Sequence, residues 1–185
     1  MKFSRLCAVA VTAATAALAT PASAIPIQAV FNVAALGSFT ADTGDITTAN
    51  TITNGAPNLI GAILLNNINL DSGDPVTLFP IAMGVQIGDK FEKEFTTDLG
   101  TFLETLTVTA RTPGPNSLGI LGVGTITQTV GTGFDPTPVY WSAAYTQNAG
   151  TGTQINGSFN NSTVPPPPRL PEPASLALLG LGMAG

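Results

Sequence analysis

The sequence contains no histidine and a single cysteine, Cys7. The absence of histidine removes the commonest general base and the commonest zinc ligand of enzymes. Cys7 lies in an N-terminal apolar run that we expect to be cleaved off, which leaves the mature chain without a thiol. Disulfides and thiolate catalysis are therefore excluded, although we expect an oxidising compartment.

Charged and aromatic residues are also scarce, at 9% and 6% of 185 residues. A coiled coil needs many more charged and helix-forming residues than this. The formal net charge is −5, and it becomes −7 once Lys2 and Arg5 are removed, because four basic residues then face eleven acidic ones. Nucleic-acid binding requires a basic patch, so we expect no nucleic-acid partner.

The sequence is rich instead in turn residues and apolar residues, with 20 glycines, 15 prolines and 44% hydrophobic residues. The apolar content argues against wholesale disorder. The length is sufficient for one domain of ordinary size with its own hydrophobic core.

Residues 1–24 have the organisation of a secretory signal peptide. Two basic residues at the start are followed by the apolar, alanine-rich run Leu6–Leu18. Ala22 and Ala24 then provide the small residues of a cleavage site. We predict an N-terminal signal helix that is removed after Ala24.

The chain from Ile25 onward shows the period of two that is typical of half-buried strands. Phe102–Arg111 and Val139–Tyr145 alternate most clearly, and Leu59–Leu70 is the least certain strand. Asn54-Gly55 is a typical two-residue hairpin turn. Turn signals recur about every 8–12 residues, which is typical of an antiparallel sandwich or barrel.

We therefore predict an all-β domain over residues 25–163, folded as an antiparallel, jelly-roll-like β-sandwich. In this fold the inner face of two packed sheets should carry large apolar side chains. The residues that we expect to face inward are Phe102, Leu106, Val108 and Trp141.

Two short acidic patterns are candidates for catalytic or calcium sites. Asp42-Thr43-Gly44 and Asp71-Ser72-Gly73 match the local motif of aspartic proteases, but Asp, Ser and Gly also favour tight turns, which is the interpretation we prefer. Because Asp45 and Asp74 follow each glycine, a calcium site is the alternative, although the acids lack the usual calcium-loop spacing.

Glu92 and Glu94 would lie about 6.6 Å apart on one strand face, within the range of glycosidase carboxylates. We interpret them as part of a solvated face, with Lys90 and Lys93 beside them as charges that protect a sheet edge. We therefore predict that the protein is not an enzyme and that it has no catalytic residue, cofactor or metal site.

Trp141 and Tyr145 share one strand face and form the candidate ligand face, since aromatic rings stack on sugars. The interpretation that we favour is burial in the core, because both side chains carry a large apolar area.

The C-terminal part begins with a proline-rich linker, residues 164–173, which ends in Pro171-Glu172-Pro173 and continues into the apolar run Ala174–Gly185. The phrase Pro171–Gly182 resembles the PEP-CTERM sorting signal of exported bacterial proteins. The prolines should hold an extended conformation that separates the domain from a membrane. The resemblance covers only this tail.

The resemblance implies recognition of Pro171-Glu172-Pro173 by an exosortase, a membrane transpeptidase-like enzyme of Gram-negative bacteria that make exopolysaccharide. It also implies export through the inner membrane, transient anchoring by a C-terminal transmembrane helix, and release to the cell surface or extracellular matrix. Residues 174–185 are shorter than the roughly 20 residues that span a bilayer, and no basic cluster follows. We therefore expect the anchor to continue beyond Gly185, the alternative being a protein that is simply secreted.

The function that we expect is that of a non-catalytic surface or matrix protein, associated with exopolysaccharide or biofilm, whose partners are the secretion machinery and an exosortase. The alternatives are an extracellular carbohydrate-binding module and, less in keeping with the residues, a hydrolase. A concave pocket with convergent polar groups would favour a binder or an enzyme.

Overall fold

The computed structural model describes residues 24–148 and 150–166, and these residues contain no helix. The all-β prediction is confirmed for this part of the chain. The signal helix, the cleavage residue Ala22, the sorting motif Pro171-Glu172-Pro173 and the anchor at 174–185 lie outside the described residues.

The described residues form thirteen strands. In chain order these are β1 (Ile25–Pro26), β2 (Ala29–Ala35), β3 (Phe39–Ala41), β4 (Thr51–Asn54), β5 (Asn58–Asn66), β6 (Pro75–Phe79), β7 (Ala82–Gly84), β8 (Lys90–Thr97), β9 (Gly100–Gly114), β10 (Ser117–Val130), β11 (Phe134–Asp135), β12 (Thr137–Gln147) and β13 (Ile155–Ser162).

Eight of these strands form a closed antiparallel barrel in the order β12-β10-β9-β8-β6-β5-β2-β13, because β13 also pairs with β12. Strands β3, β4 and β7 extend from β13 as a side sheet, and β1 pairs in parallel with β11. The sequence analysis predicted two separate packed sheets. Alternation shows only that one face of each strand is buried, which holds equally for a sandwich and for a barrel.

The predicted hairpin turn at Asn54-Gly55 is wrong. Asn54 is the last residue of β4 and pairs with Phe39 of β3, while β5 pairs with β2 and β6. Neither Asn54 nor Gly55 has the positive φ that a type I′ turn requires. The uncertain Leu59–Leu70 segment does contain a strand, β5.

The barrel interior is filled by the inward side chains of the eight strands, among which several aromatic rings pack against one another. Phe31 meets Phe95 edge to face at 5.5 Å between ring centroids, and Trp141 stacks on Phe159 at 5.7 Å. Such pairs add to the hydrophobic stabilisation of a core. The four residues predicted to face inward are all buried, which confirms that prediction: Phe102, Leu106, Val108 and Trp141.

Candidate functional site

The most unusual feature of the interior is a charged side chain in the middle of the barrel wall. On β8, Phe91, Lys93 and Phe95 point inward and alternate with outward residues, so Lys93 is only 1% exposed. The interpretation of Lys93 as an edge-protecting surface charge is therefore wrong, whereas Lys90 on the same strand is exposed. A lysine is almost never fully buried unless it is paired.

Lys93 has two partners, one from the adjacent strand and one from across the barrel. Its Nζ lies 2.6 Å from Oε2 of Glu104, which is its cross-strand neighbour on β9 and is completely buried. The same Nζ lies 2.5 Å from Oδ1 of Asn161 on β13. We call Lys93, Glu104 and Asn161 the buried triad.

The walls around the buried triad are aromatic. The Phe31 ring centroid is 5.8 Å from Lys93 Nζ, and Phe31 is also the register partner of Asn161 on β2. On its other side, Asn161 pairs in register with Trp141 of β12. An apolar environment of this kind strengthens every electrostatic interaction inside it and makes an uncompensated polar atom costly.

The buried triad is only partly satisfied by these contacts. Glu104 Oε2 has the ion-pair contact to Lys93, whereas Glu104 Oε1 and Asn161 Nδ2 have no hydrogen-bond partner among the described residues. Burial lowers the pKa of Lys93 below its ordinary value, against the opposing effect of the Glu104 charge and hydrogen bond. The site therefore places an amine with reduced proton affinity in contact with a carboxyl group on one side and a carboxamide on the other, and all three side chains are buried.

The sequence analysis missed Glu104 and Asn161 and misplaced Lys93. A signal for burial was present in the strand period. Lys93 is in phase with Phe91 and Phe95 on β8, and Glu104 is in phase with the buried Phe102 and Leu106 on β9. Asn161 is likewise in phase with the buried Phe159 on β13, but its place opposite β8 depends on the pairing of β13 with β12 and β2.

A second polar feature lies at the surface, in a pocket of about 350 Å³ between β4, β5 and β6. Asn54 and Asn58 line it together with apolar residues such as Val76 and Leu78. Oδ1 and Nδ2 of Asn54, and Oδ1 of Asn58, are buried without a hydrogen-bond partner in the part of the chain that is described. Because Asn54 and Asn58 are only 7% and 6% exposed, a polar ligand in the pocket would reach these atoms only if the residues that cover them moved.

The candidate ligand face, Trp141 and Tyr145, lies inside the barrel. The two side chains are 2% and 1% exposed, and burial raises the pKa of the Tyr145 hydroxyl. Both pack on Phe159. This is the core role that the sequence analysis favoured for them, and in this conformation neither ring is free to stack on a sugar.

The acidic patterns are used in turns and on the outer surface. Asp42 accepts hydrogen bonds from the backbone N–H groups of Thr43 and Asn50, and Asp45 accepts two from Thr47. Glu92 is exposed on the outer face of β8, with Glu94 half-buried beside it. Within residues 24–148 and 150–166, no three acidic, histidine or cysteine side chains are grouped so that they could hold a metal ion.

No helix in the described part of the chain is long and apolar enough to cross a membrane. Comparison with protein-family models, with curated proteins and with solved structures found no match to this chain.

Proposed function

We propose that this protein is an exported, non-catalytic component of the bacterial cell surface or extracellular matrix, delivered by an exosortase. The observation that carries the proposal is the C-terminal phrase, in which Pro171-Glu172-Pro173 follows a proline-rich linker and precedes an apolar run. The N-terminal signal-peptide pattern of residues 1–24 is the expected companion of such a tail. Exopolysaccharide is the proposed environment of the folded domain.

The composition of the domain supports a structural role. In the described residues the inward side chains of the barrel belong to one cluster of buried hydrophobic residues, as in small barrels whose interior is a packed core. Arg111 is the one arginine among the described residues, and acidic groups dominate the surface, which suits a soluble matrix component better than a polyanion binder.

The tail is tested in a Gram-negative host that has its own exosortase. Glu172→Ala should leave the protein unprocessed and in the membrane fraction, whereas the wild type should appear processed at the surface or in the medium. Pro166→Ala, in the linker but outside the motif, is the matched control. Identical location and mass of wild type and Glu172→Ala would contradict the proposal.

A carbohydrate-binding module is the second candidate, and the pocket with Asn54 and Asn58 is the observation that favours it. Amide groups without partners can donate to and accept from sugar hydroxyls. A glycan array with the mature domain should then give binding that Asn58→Ala removes and Asn160→Ala, an exposed change on β13, preserves. Binding that survives Asn58→Ala would exclude this pocket as the site.

A further inference from the structure

We propose that Lys93 and Asn161 become joined by an intramolecular isopeptide bond, formed without any cofactor, with Glu104 carrying the protons. The bond is an amide between the Lys93 side-chain nitrogen and the Asn161 side-chain carbon. The inference is independent of the proposed export, because it depends only on the folded barrel.

The reacting groups lie close to the distance that such a reaction needs. Lys93 Nζ is 2.5 Å from Asn161 Oδ1, closer than an ordinary N–H···O hydrogen bond. Since a carbonyl oxygen is about 1.23 Å from its carbon, Nζ lies no more than about 3.7 Å from Asn161 Cγ. Reacting atoms in near-attack arrangements are about 3–3.5 Å apart, so a small adjustment of either side chain suffices.

Glu104 supplies the acid–base chemistry. Its carboxylate first takes a proton from the Lys93 ammonium across the 2.6 Å contact, which leaves a neutral amine with a free electron pair. The amine attacks Asn161 Cγ and forms a tetrahedral carbon. Glu104 then transfers a proton from the attacking nitrogen to Nδ2, the Cγ–Nδ2 bond breaks, and ammonia leaves. The products are a neutral amide, one ammonia and a protonated Glu104, which balances atoms and charge.

The environment favours this reaction over a permanent ion pair. Burial lowers the pKa of Lys93, which favours the neutral amine that attacks. The amide that forms is uncharged, so the reaction removes a buried cation and a buried carboxylate from an apolar interior. It also removes Nδ2 of Asn161, one of the buried atoms without a hydrogen-bond partner.

The two bonded residues lie on opposite sides of the molecule. In the ring of eight strands β8 and β13 are four positions apart, and no backbone ladder connects them. The bond would span 68 residues of sequence and link opposite walls of the barrel. A chain whose described residues contain no thiol would thereby gain a covalent link that serves as a disulfide does elsewhere.

The test is mass spectrometry of the full protein, purified in its folded state and then denatured. The intact mass should be lower than the mass calculated for its observed termini by about 17 Da, the mass of the lost ammonia. Trypsin should fail to cleave after Lys93, and fragment 91–111 should remain attached to fragment 112–169. The same chain produced and kept in denaturant should have the full mass and should yield separate fragments.

Two exposed neighbours provide matched controls, since Lys90 is on β8 and Asn160 is on β13. Lys90→Met and Asn160→Ala should keep the mass deficit, and the tryptic fragment that contains Lys93 should remain attached to fragment 112–169; in Lys90→Met that fragment begins before residue 91. Lys93→Met and Asn161→Ala should lose both, and Glu104→Gln, which has nearly the same shape, should lose them while the circular-dichroism spectrum stays β-rich.

A wild-type chain that is folded by circular dichroism, yet has the full mass and gives separate tryptic fragments, would overturn the proposal and leave an ion pair only. A deficit that persists in Glu104→Gln would overturn the role given to Glu104. Failure of a variant to fold does not affect the decision, because the wild-type mass is sufficient for it.

Discussion

The barrel buries polar side chains at its end and at its centre, and the two places differ in how completely those side chains are hydrogen-bonded. At the end of β12, Gln147 accepts from Ile46 N–H and donates to the carbonyl oxygens of Gly44 and Thr153. At the centre, the buried triad leaves Glu104 Oε1 and Asn161 Nδ2 without partners. Both Gln147 and the triad are almost fully buried.

The difference separates a structural polar group from a reactive one. Gln147 makes the hydrogen bonds that water would otherwise make to residues 44–46. Both polar atoms of its amide are hydrogen-bonded, as is usual for buried groups. The buried triad, in contrast, leaves Glu104 Oε1 and Asn161 Nδ2 without hydrogen bonds and holds a charge in an apolar interior. An incompletely satisfied buried cluster is costly, and it is found in proteins mainly where strain or chemistry explains it. The comparison therefore supports the isopeptide proposal.

The largest expected effect comes from removing the carboxylate of the buried triad. Glu104→Ala leaves Lys93 without a counter-ion and prevents the cross-link, so the free energy of unfolding should fall by about 3–5 kcal/mol, as for other broken buried pairs. Urea unfolding followed by the fluorescence of Trp141 measures this. Glu92→Ala, on the outer face of β8, is the control and should change stability by less than about 0.5 kcal/mol. Equal losses of unfolding free energy in the two variants would mean that the buried Glu104 carboxylate stabilises the fold no more than a surface carboxylate does.

An intermediate effect is expected at the fully satisfied site. Gln147→Leu keeps the volume but removes the hydrogen-bond acceptor of the Ile46 N–H and one donor each from the carbonyl oxygens of Gly44 and Thr153, which should cost about 1–3 kcal/mol. Gln154→Leu, an exposed position seven residues further along, is the control. Thermal unfolding of both variants gives the comparison. A Gln147→Leu protein as stable as the wild type would show that the three hydrogen bonds do not hold the 44–46 loop.

The smallest effect concerns acid titration of the same loop. The backbone N–H of Thr47, and then its hydroxyl, lower the pKa of Asp45 below 3.8, its ordinary value. A folded-state pKa below the unfolded value stabilises the fold at higher pH, and this contribution is lost as the pH falls below 3.8. Asp45→Asn should therefore reduce stability slightly at pH 7 and make it less sensitive to acid. Thermal unfolding at pH 7 and at a pH below 3.8 measures the change, and Asp135→Asn, at an exposed position, is the control. If Asp45→Asn lost as much stability in acid as the wild type does, the prediction would be contradicted.

Much of the local structure was predictable from the sequence. Alternation in Phe102–Arg111 and Val139–Tyr145 predicted strands and named their inward faces correctly, because the side-chain period of a strand is a local property. The acidic motif at Asp42 and Asp45 was correctly interpreted as a turn, because the hydrogen bonds of Asp side chains to nearby backbone N–H groups are also a local property. Asn54-Gly55 misled because a turn signal does not show which strands pair on either side of it.

The candidate site was harder to predict. Lysine and glutamate are so rarely buried that Lys93 was assigned to the surface despite its phase with Phe91 and Phe95. The alternation was the better guide, since a strand cannot turn one residue to the opposite face without a bulge. The pocket with Asn54 and Asn58 has no sequence signal, because its walls come from three different strands.

The sequence by itself determined that the described domain is all-β and which side chains of its main strands face inward. These are local properties, set by composition and by the period of the strand. The tertiary structure alone decided that the eight strands close into one barrel and that Lys93 and Asn161 meet across it. Both depend on the pairing of β13 with β12 and β2, a contact between distant parts of the chain that local pattern does not encode.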